Sequence, residues 1–179
     1  MKKSAVILTS LFSSLVHADS LIGHWSFDEH YKDSSQGKHH GKIVGDPVKF
    51  IDGKHGKAAE FNGASAIHCG NVPLGKTGEI TVAFWAKPTR PERIFGDIVQ
   101  KQNKDYSERS FWIGAHRHGI MWAYFSPSTA DGRPLTAPDT IKKGEWVHVA
   151  MTFDGEHQKT YINGKLAITG EKRPPSRCQ

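Results

Sequence analysis

Ten short segments rich in β-branched and aromatic residues, separated by clusters of Gly, Asp, Asn or Pro, constrain the fold of this chain more than any other feature. They are the segments 21–27, 57–62, 66–70, 79–87, 97–102, 110–116, 119–126, 145–153, 159–164 and 165–170. No window of a dozen residues combines a helical hydrophobic period with helix caps. Many short strands at this spacing are typical of an antiparallel sandwich or barrel. The sequence therefore predicts an all-β fold, an antiparallel two-sheet β-sandwich.

Alternation within the segments predicts which side chains face the interior, because successive side chains of a strand point to opposite faces. Within residues 146–153 one face is entirely apolar, and it consists of Val147, Val149, Met151 and Phe153. A second segment alternates in the same way, with Ile80, Val82, Phe84 and Ala86 on one face. Asn163-Gly164 is a strong signal for a two-residue hairpin, since both central positions of such a turn need positive φ.

The segments 110–116 and 119–126 predict a hairpin with an aromatic face. A turn over 117–119, with His116 paired to Ile120, makes one face apolar throughout: Phe111, Ile113, Ala115, Met121, Ala123 and Phe125. The opposite face then consists of Trp112, Gly114, His116, Ile120, Trp122 and Tyr124. Aromatic rings with polar tips on an exposed sheet suit stacking on sugar rings. The alternative is that loops cover this face and its aromatic residues form a second small core.

The N-terminus has the three regions of a secretory signal peptide. Lys2 and Lys3 form a basic start, residues 5–16 are an apolar run, and Val16-His17-Ala18 places small residues at a cleavage site. The apolar run is too short for a spanning helix, which needs about 20 residues, and no later stretch is long enough. The sequence predicts a signal peptide over 1–18, cleavage after Ala18, and an exported mature chain.

Charge and cysteine content limit the partners and the covalent links of the mature chain. Removal of Lys2 and Lys3 lowers the formal charge of +6 by two, and the remaining excess is scattered. Nucleic-acid binders concentrate basic residues on one face, so we expect no nucleic-acid partner. The two cysteines, Cys69 and Cys178, are free to pair in an oxidising compartment, or to remain one buried thiol and one tail thiol.

Four stretches in order resemble a known family. They read "LIGHWSFDEHYKDSSQGKHHG", "GKAAEFNGASAIHCG", "EITVAFWAKP" and "WVHVAMTFDGEHQKTYINGKLAITG". Together they are similar to laminin G-like domains, and more closely to the concanavalin A-like lectin-glucanase jelly-roll modules of secreted bacterial proteins. The resemblance runs to about Gly170 and implies a jelly roll whose curved front sheet often binds carbohydrate. We expect one domain over 19–170, followed by an irregular basic tail over 171–179.

The end of the chain departs from the family pattern. Members normally continue past the Y-x-N-G-x hairpin with further strands, the last of which pairs beside the first strand. Here the chain reads "EKRPPSRCQ", and Pro174-Pro175 has no N–H to give to a central ladder. The resemblance therefore implies a truncated domain. We expect the first strand to lack a neighbour, and an unpaired edge favours self-association.

The resemblance also implies a structural calcium ion, for which Asp28 and Asp33 match the positions of ligands near the first strand. Turn formation is the alternative explanation for Asp33-Ser34-Ser35. Related jelly-roll glycosidases carry E-x-D-x-x-E on one strand, and this chain has no such motif. Two carboxyl groups about 5–5.5 Å apart are what retaining hydrolysis needs. We therefore expect no enzyme activity.

These observations predict a non-catalytic, exported, carbohydrate-binding module whose partner is a glycan or a glycosylated surface. The expected binding residues are Trp112, His116, Arg117, Trp122 and Tyr124. Arg117 lies at the rim, where its guanidinium suits a sulfated or uronic sugar. Two alternatives stay open: a protein-interaction or adhesion module of the cell surface, and a fragment of a polysaccharide-degrading enzyme.

Overall fold

A computed structural model of the chain describes residues 21–73, 79–90, 96–102, 109–116, 118–124 and 135–171. The regular elements in these ranges are β-strands: β1 (Lys42–Gly45), β2 (Lys49–Asp52), β3 (Lys57–Glu60), β4 (Ser65–His68), β5 (Ile80–Ala86), β6 (Gly96–Gln102), β7 (Arg109–His116), β8 (Gly119–Tyr124), β9 (Leu135–Ala137), β10 (Val147–Phe153), β11 (His157–Ile162) and β12 (Lys165–Glu171). The predicted signal peptide, 1–18, and residues 172–179 of the predicted tail lie outside the described residues.

The chain groups into two compact units, Met1–Pro73 and Leu74–Gln179. The prediction of one domain over 19–170 stays a prediction. None of the described residues forms a helix long and apolar enough to cross a membrane.

The first unit contains two separate antiparallel ribbons, β1 with β4 and β2 with β3. Strands β3 and β4 coincide with predicted segments, whereas β1 and β2 are short and were not predicted. The ring of Tyr31 stacks on that of Phe50 in β2 at 5.0 Å between centroids. Its hydroxyl also donates a hydrogen bond of 3.1 Å to the carbonyl of Val48, which is buried. These contacts anchor the ribbon to the preceding loop.

The predicted strand over 21–27 is wrong, because this segment is irregular in the structure. Its backbone bonds to a loop instead of a ladder: the N–H of His24 donates to the carboxylate of Asp33, and the carbonyl of His24 accepts from the N–H of Ser34. The indole N–H of Trp25 donates to the carbonyl of His39 at 2.8 Å. Phe27 has φ of 59°, which takes it out of the extended region.

The second unit contains two four-stranded antiparallel sheets. The first, named here the β10 sheet, has the order β12-β11-β10-β5, and the second, named the β7 sheet, has the order β6-β7-β8-β9. The predicted hairpin between β11 and β12 is confirmed. Asn163 and Gly164 form its two-residue turn with φ of 49° and 78°, and Ile162 pairs with Lys165.

The core of this unit lies between the two sheets, as the alternation predicts. The inner face of β10 is buried at Val147, Val149, Met151 and Phe153, and the residues between them are half-buried. Ile113 of β7 and Ile120 of β8, with 0% and 1% of their surface exposed, join the same cluster. Inner residues of β5 pack against it. The two-sheet antiparallel sandwich predicted from the sequence is therefore confirmed.

The predicted register of the hairpin between β7 and β8 is wrong by one residue. The prediction paired His116 with Ile120, whereas in the structure His116 pairs with Gly119 and Ala115 with Ile120. His118 has φ of 65°, as the second central position of a two-residue turn requires. A slip of one residue moves a whole strand face to the other side of a sheet. Ile120, which is buried, thus lies on the inner face with Ile113, and Ile113 pairs with Trp122 in the ladder.

Strand β12 is an edge of the β10 sheet within the described part of the chain. Self-association through an unpaired strand edge stays a prediction, and the mass of the protein in solution tests it.

Candidate functional site

The outer face of the β7 sheet presents a tryptophan surrounded by polar groups. Phe111 and Ile113 are buried in the core, so the alternate residues of β7, which are Trp112, Gly114 and His116, face outward. Asp97 of β6 lies directly across from Gly114, and Gln100 lies across from Trp112. Both β6 residues are exposed. These five residues are named here the Trp112 face.

The ring of Trp112 is held in one orientation by a hydrogen bond and a close contact. Its indole N–H donates to Oδ1 of Asp97 at 2.5 Å. The ring lies over Gly114, because a Cβ added there would collide with Cζ2 of Trp112 and would lie 2.8 Å from the carbonyl oxygen of Gly96. Gly114 is consequently buried although it is on the outer face. Trp112 itself stays half-exposed.

The structure brings together only part of the predicted binding face. Trp112 and His116 are on the outer face of β7, and His116 is half-buried. The ladder pairs Trp122 with Ile113 and Tyr124 with Phe111, whereas the predicted register paired them with Gly114 and Trp112, and the side chains at 122 and 124 lie outside the described residues. Arg117 lies outside the described residues.

Asp97 was not among the predicted binding residues. Strand β6 has irregular pairing between Asp97 and Val99, where Ile98 is an extra residue. Simple alternation from Asp97 therefore fails to place Gln100 on the same face, and the pairing with Trp112 is hidden. The only sequence signal for this site was the acidic residue at the start of a strand segment, which reads equally well as a turn residue.

The carboxylate of Asp33 does not fit the calcium ligand that the resemblance implied. Its Oδ1 accepts hydrogen bonds from the N–H groups of His24 and Ser35, at 2.9 and 2.8 Å. Its Oδ2 accepts from the hydroxyl of Ser35 and the N–H of His39, both at 2.8 Å. A carboxylate has about four lone-pair sites, and these donors account for them. Asp33 therefore organises the loop that surrounds it.

Asp28 also binds a backbone donor. Its Oδ1 accepts a hydrogen bond of 2.7 Å from the N–H of Lys57, at the start of β3. Among the residues that the structure describes, no three or more His, Cys, Asp and Glu side chains are grouped to hold a metal ion. Calcium takes six to eight oxygen ligands, which include backbone carbonyls and water, so the calcium role of Asp28 stays a prediction.

Burial and hydrogen bonding oppose each other at Asp33. Burial by itself would raise the pKa of this carboxyl group, of which 2% is exposed. The hydrogen bonds from His24, Ser35 and His39 outweigh burial and hold the pKa well below its ordinary value. Asp33 is therefore an ionised, buried group whose charge is balanced by N–H and O–H dipoles.

Cys69 is half-buried and forms no disulfide with another residue that the structure describes. Burial raises its pKa, and the negative charge of Asp33 raises it further. A raised pKa lowers the thiolate fraction and hence the reactivity of the sulfur. Cys178 lies outside the described residues, so the disulfide between the two stays a prediction.

The fold and this surface can now be compared with known proteins. The sequence model of a laminin G-type family, described as the concanavalin A-like lectin/glucanases superfamily, matches residues 61–177. No curated protein gives a significant match.

Two solved structures are similar over most of the chain. Domain 4 of AbnA, an extracellular GH43 arabinanase from Geobacillus stearothermophilus solved with arabinotriose, is 26% identical, with a TM-score of 0.64 over 86% of this chain and 76% of that one. The binding domain of Paraclostridial Mosquitocidal Protein 1 is 17% identical, with a TM-score of 0.58 over 84% of this chain and 39% of that one. The second similarity concerns the fold alone. The family match covers more than half of the chain, which therefore belongs to the concanavalin A-like lectin/glucanases superfamily.

Proposed function

We propose that this chain is an exported, non-catalytic module that binds carbohydrate through the Trp112 face. The observation that carries the proposal is the fixed indole of Trp112, which lies over Gly114 and donates to Asp97. An aromatic ring that is already oriented loses little conformational entropy when a sugar ring stacks on it. The neighbouring polar groups would determine which hydroxyl pattern is accepted.

Each neighbour of Trp112 has a defined role in this proposal. The carboxylate of Asp97 accepts hydrogen bonds from sugar hydroxyls while it orients the indole, and the exposed amide of Gln100 both donates and accepts. His116 borders the same face two residues beyond Gly114. Arg117 remains a proposed rim residue for acidic sugars. Trp122 and Tyr124 are left out of the proposed surface, because the ladder pairs them with the buried residues Ile113 and Phe111.

The similarity to a domain solved with arabinotriose supports a carbohydrate ligand. That domain comes from an extracellular enzyme, which supports an extracytoplasmic location for this chain. The absence of an E-x-D-x-x-E motif supports a binding role over a hydrolytic one. A cell-surface adhesion module and a fragment of a polysaccharide-degrading enzyme are the alternatives that the following test addresses.

Trp112→Ala is expected to weaken glycan binding at least tenfold, about 1.4 kcal/mol, because the stacking surface is lost. The measurement is calorimetric titration of the protein with neutral trisaccharides, arabinotriose first, after screening on a glycan array. Asp97→Asn is the matched control, since the amide oxygen still accepts from the indole N–H, and this variant should retain more binding than Asp97→Ala. All three variants should keep the far-ultraviolet circular dichroism of the wild type.

Three results would contradict the proposal. Binding that is unchanged in Trp112→Ala would place the sugar elsewhere. Failure to bind any glycan, together with binding to a protein surface, would favour the adhesion module. Release of reducing sugar from a bound polysaccharide would favour the enzyme fragment.

A further inference from the structure

The outer face of the β10 sheet carries a second exposed tryptophan. Since Val147, Val149 and Met151 of β10 face the core, His148 and Ala150 between them face outward. His148 lies directly across from Trp85 of β5, and Ala150 lies across from Ala83. On its other side Ala150 pairs with Tyr161 of β11. These five residues, Ala83, Trp85, His148, Ala150 and Tyr161, are named here the Trp85 face.

Trp85 is supported from one side by an imidazole. The ring centroids of Trp85 and His148 are 5.2 Å apart, with an angle of 57° between the planes. The backbone N–H of His148 donates to the side-chain oxygen of Asn163 at 2.9 Å, which ties this end of β10 to the turn after β11. Trp85 nevertheless has 40% of its surface exposed, more than is usual for so large an apolar side chain on a sheet.

Small residues next to Trp85 leave room for a ligand. Ala83 and Ala150 lie side by side in the next row of the sheet, and each contributes only a methyl group. The aromatic row of Trp85 and His148 borders this pair on one side. A hydroxyl row of Thr81 and Thr152, which are paired across the same two strands, borders it on the other. The register thus places an apolar floor between an aromatic row and a hydroxyl row, here called the hydroxyl wall, and Tyr161 of β11 lies beside Ala150 at one end of the floor.

The charges at the hydroxyl wall suit a neutral ligand. Lys159 of β11 pairs with Thr152, and its Nζ lies 3.5 Å from Oδ2 of Asp154. Hydrogen bonds from the N–H groups of His157 and Glu156 lower the pKa of Asp154 to about 2, so this carboxylate is ionised at neutral pH and balances the lysine. An anionic sugar would have to compete with Asp154 for Lys159, whereas the hydroxyl groups of a neutral sugar need no net charge.

The Trp85 face and the Trp112 face lie on opposite sides of one sandwich. Each is the outer face of a sheet whose inner face forms the shared core, so the two tryptophans point away from each other. A single sugar residue cannot contact both. We propose that the Trp85 face is a second binding site for a neutral glycan, which makes this module bivalent. The proposal rests on the proposed carbohydrate-binding function and adds a site and a ligand class to it.

The test counts sites with a short ligand. Arabinotriose, xylotriose and cellotriose are titrated calorimetrically into the wild type, Trp85→Ala, Trp112→Ala and the double variant. We expect two sites in the wild type, one in each single variant and none in the double variant. Ala83→Gln fills the floor at an exposed position and keeps Trp85, so it should remove the same site without loss of folding. Ala83→Gln takes the place of Trp85→Ala in the titration if Trp85→Ala is unstable.

Cross-linking gives a second readout, which a merely structural role of Trp85 would not change. The wild type should make a solution of the corresponding polysaccharide turbid at stoichiometric ratios, as two binding faces on one particle require. Trp85→Ala should bind the same polysaccharide and leave the solution clear.

The outcomes that overturn the inference are distinct from those that overturn the proposed function. One site in the wild type that is lost in Trp112→Ala and unchanged in Trp85→Ala overturns the second site alone. One site that is lost only in Trp85→Ala overturns bivalency and also the role of the Trp112 face. A concentration-dependent dimer that is abolished by Ala83→Gln shows that a second copy covers the Trp85 face, and this overturns the inference as well.

Discussion

Asp33→Ala is expected to lower the free energy of unfolding by about 3 kcal/mol or more. The carboxylate accepts four hydrogen bonds, and its donors come from 24, 35 and 39, on both sides of the loop. Removal of the acceptor leaves these donors without partners in a region from which water is largely excluded. Urea denaturation at neutral pH, followed by far-ultraviolet circular dichroism, measures the change.

Asp28→Ala is the matched control for this prediction. Asp28 lies five residues earlier, is exposed, and accepts a hydrogen bond from the N–H of Lys57. Its removal should cost about 1 kcal/mol or less, because water can replace an exposed acceptor. Equal effects of the two substitutions would contradict the role assigned to Asp33.

The carboxylate of Asp33 also makes the free energy of unfolding depend on pH. The pKa of Asp33 in the folded protein lies below the ordinary value of 3.8 that applies to the unfolded chain. The stabilisation is therefore fully present above about pH 4 and is lost as the pH falls below that value towards the folded pKa. Asp33→Asn keeps one acceptor oxygen and replaces the other by a donor. The difference in the free energy of unfolding between this variant and the wild type should be largest at neutral pH. A difference that stays constant from about pH 7 to about pH 3 would show that the charge is not what the loop requires.

The alternation of side chains predicted the parts of the fold that depend on burial. The apolar positions of β10 and β5 recur at every second residue, and the sandwich core uses them as expected. The hairpin at Asn163-Gly164 was predictable for a related reason, since its turn type is specified by the two residues themselves.

The errors occurred where the pattern does not determine the pairing. The glycine at 119 suggested a three-residue turn, but a two-residue turn with His118 at positive φ is what forms, and the face of β8 is reversed. The segment 21–27 has the composition of a strand, yet Asp33 and Ser34 bond to the backbone of His24. Neither the length of a turn nor the partner of a backbone N–H is encoded in hydrophobic periodicity.

The candidate site was predictable in its β7 residues and not in its β6 residues. Trp112 was identified from the sequence, whereas its partner Asp97 depends on irregular pairing in β6 that alternation cannot reveal. The alternation of β5 leaves Trp85 on the face opposite Phe84 and Ala86, but its position next to Ala83 and Ala150 becomes evident only when the pairing of β5 with β10 is known.

Gly114→Ala is expected to damage both the sheet and the Trp112 face. The added methyl group would meet the ring of Trp112 and would lie 2.8 Å from the carbonyl oxygen of Gly96. The ring can turn away, but the backbone of β6 is held by its ladder, so part of the strain remains. We expect a loss of about 1–3 kcal/mol in the free energy of unfolding. We also expect glycan affinity to fall at least tenfold, because a displaced indole no longer reaches Asp97.

Gly96→Ala separates this steric explanation from a general intolerance of the hairpin to substitution. Gly96 pairs with Ala115, the residue next to Gly114, and a Cβ at Gly96 would meet only the methyl group of Ala115 at 4.0 Å. The free energy of unfolding of this variant should lie within about 0.5 kcal/mol of the wild-type value, since replacing a glycine costs little where the backbone and the space allow it. Its glycan affinity should equal that of the wild type. If Gly114→Ala behaved like Gly96→Ala in both measurements, the ring of Trp112 would not need its place over Gly114. The orientation of the indole would then depend on Asp97 alone, and Asp97→Ala should weaken binding at the Trp112 face as much as Trp112→Ala does.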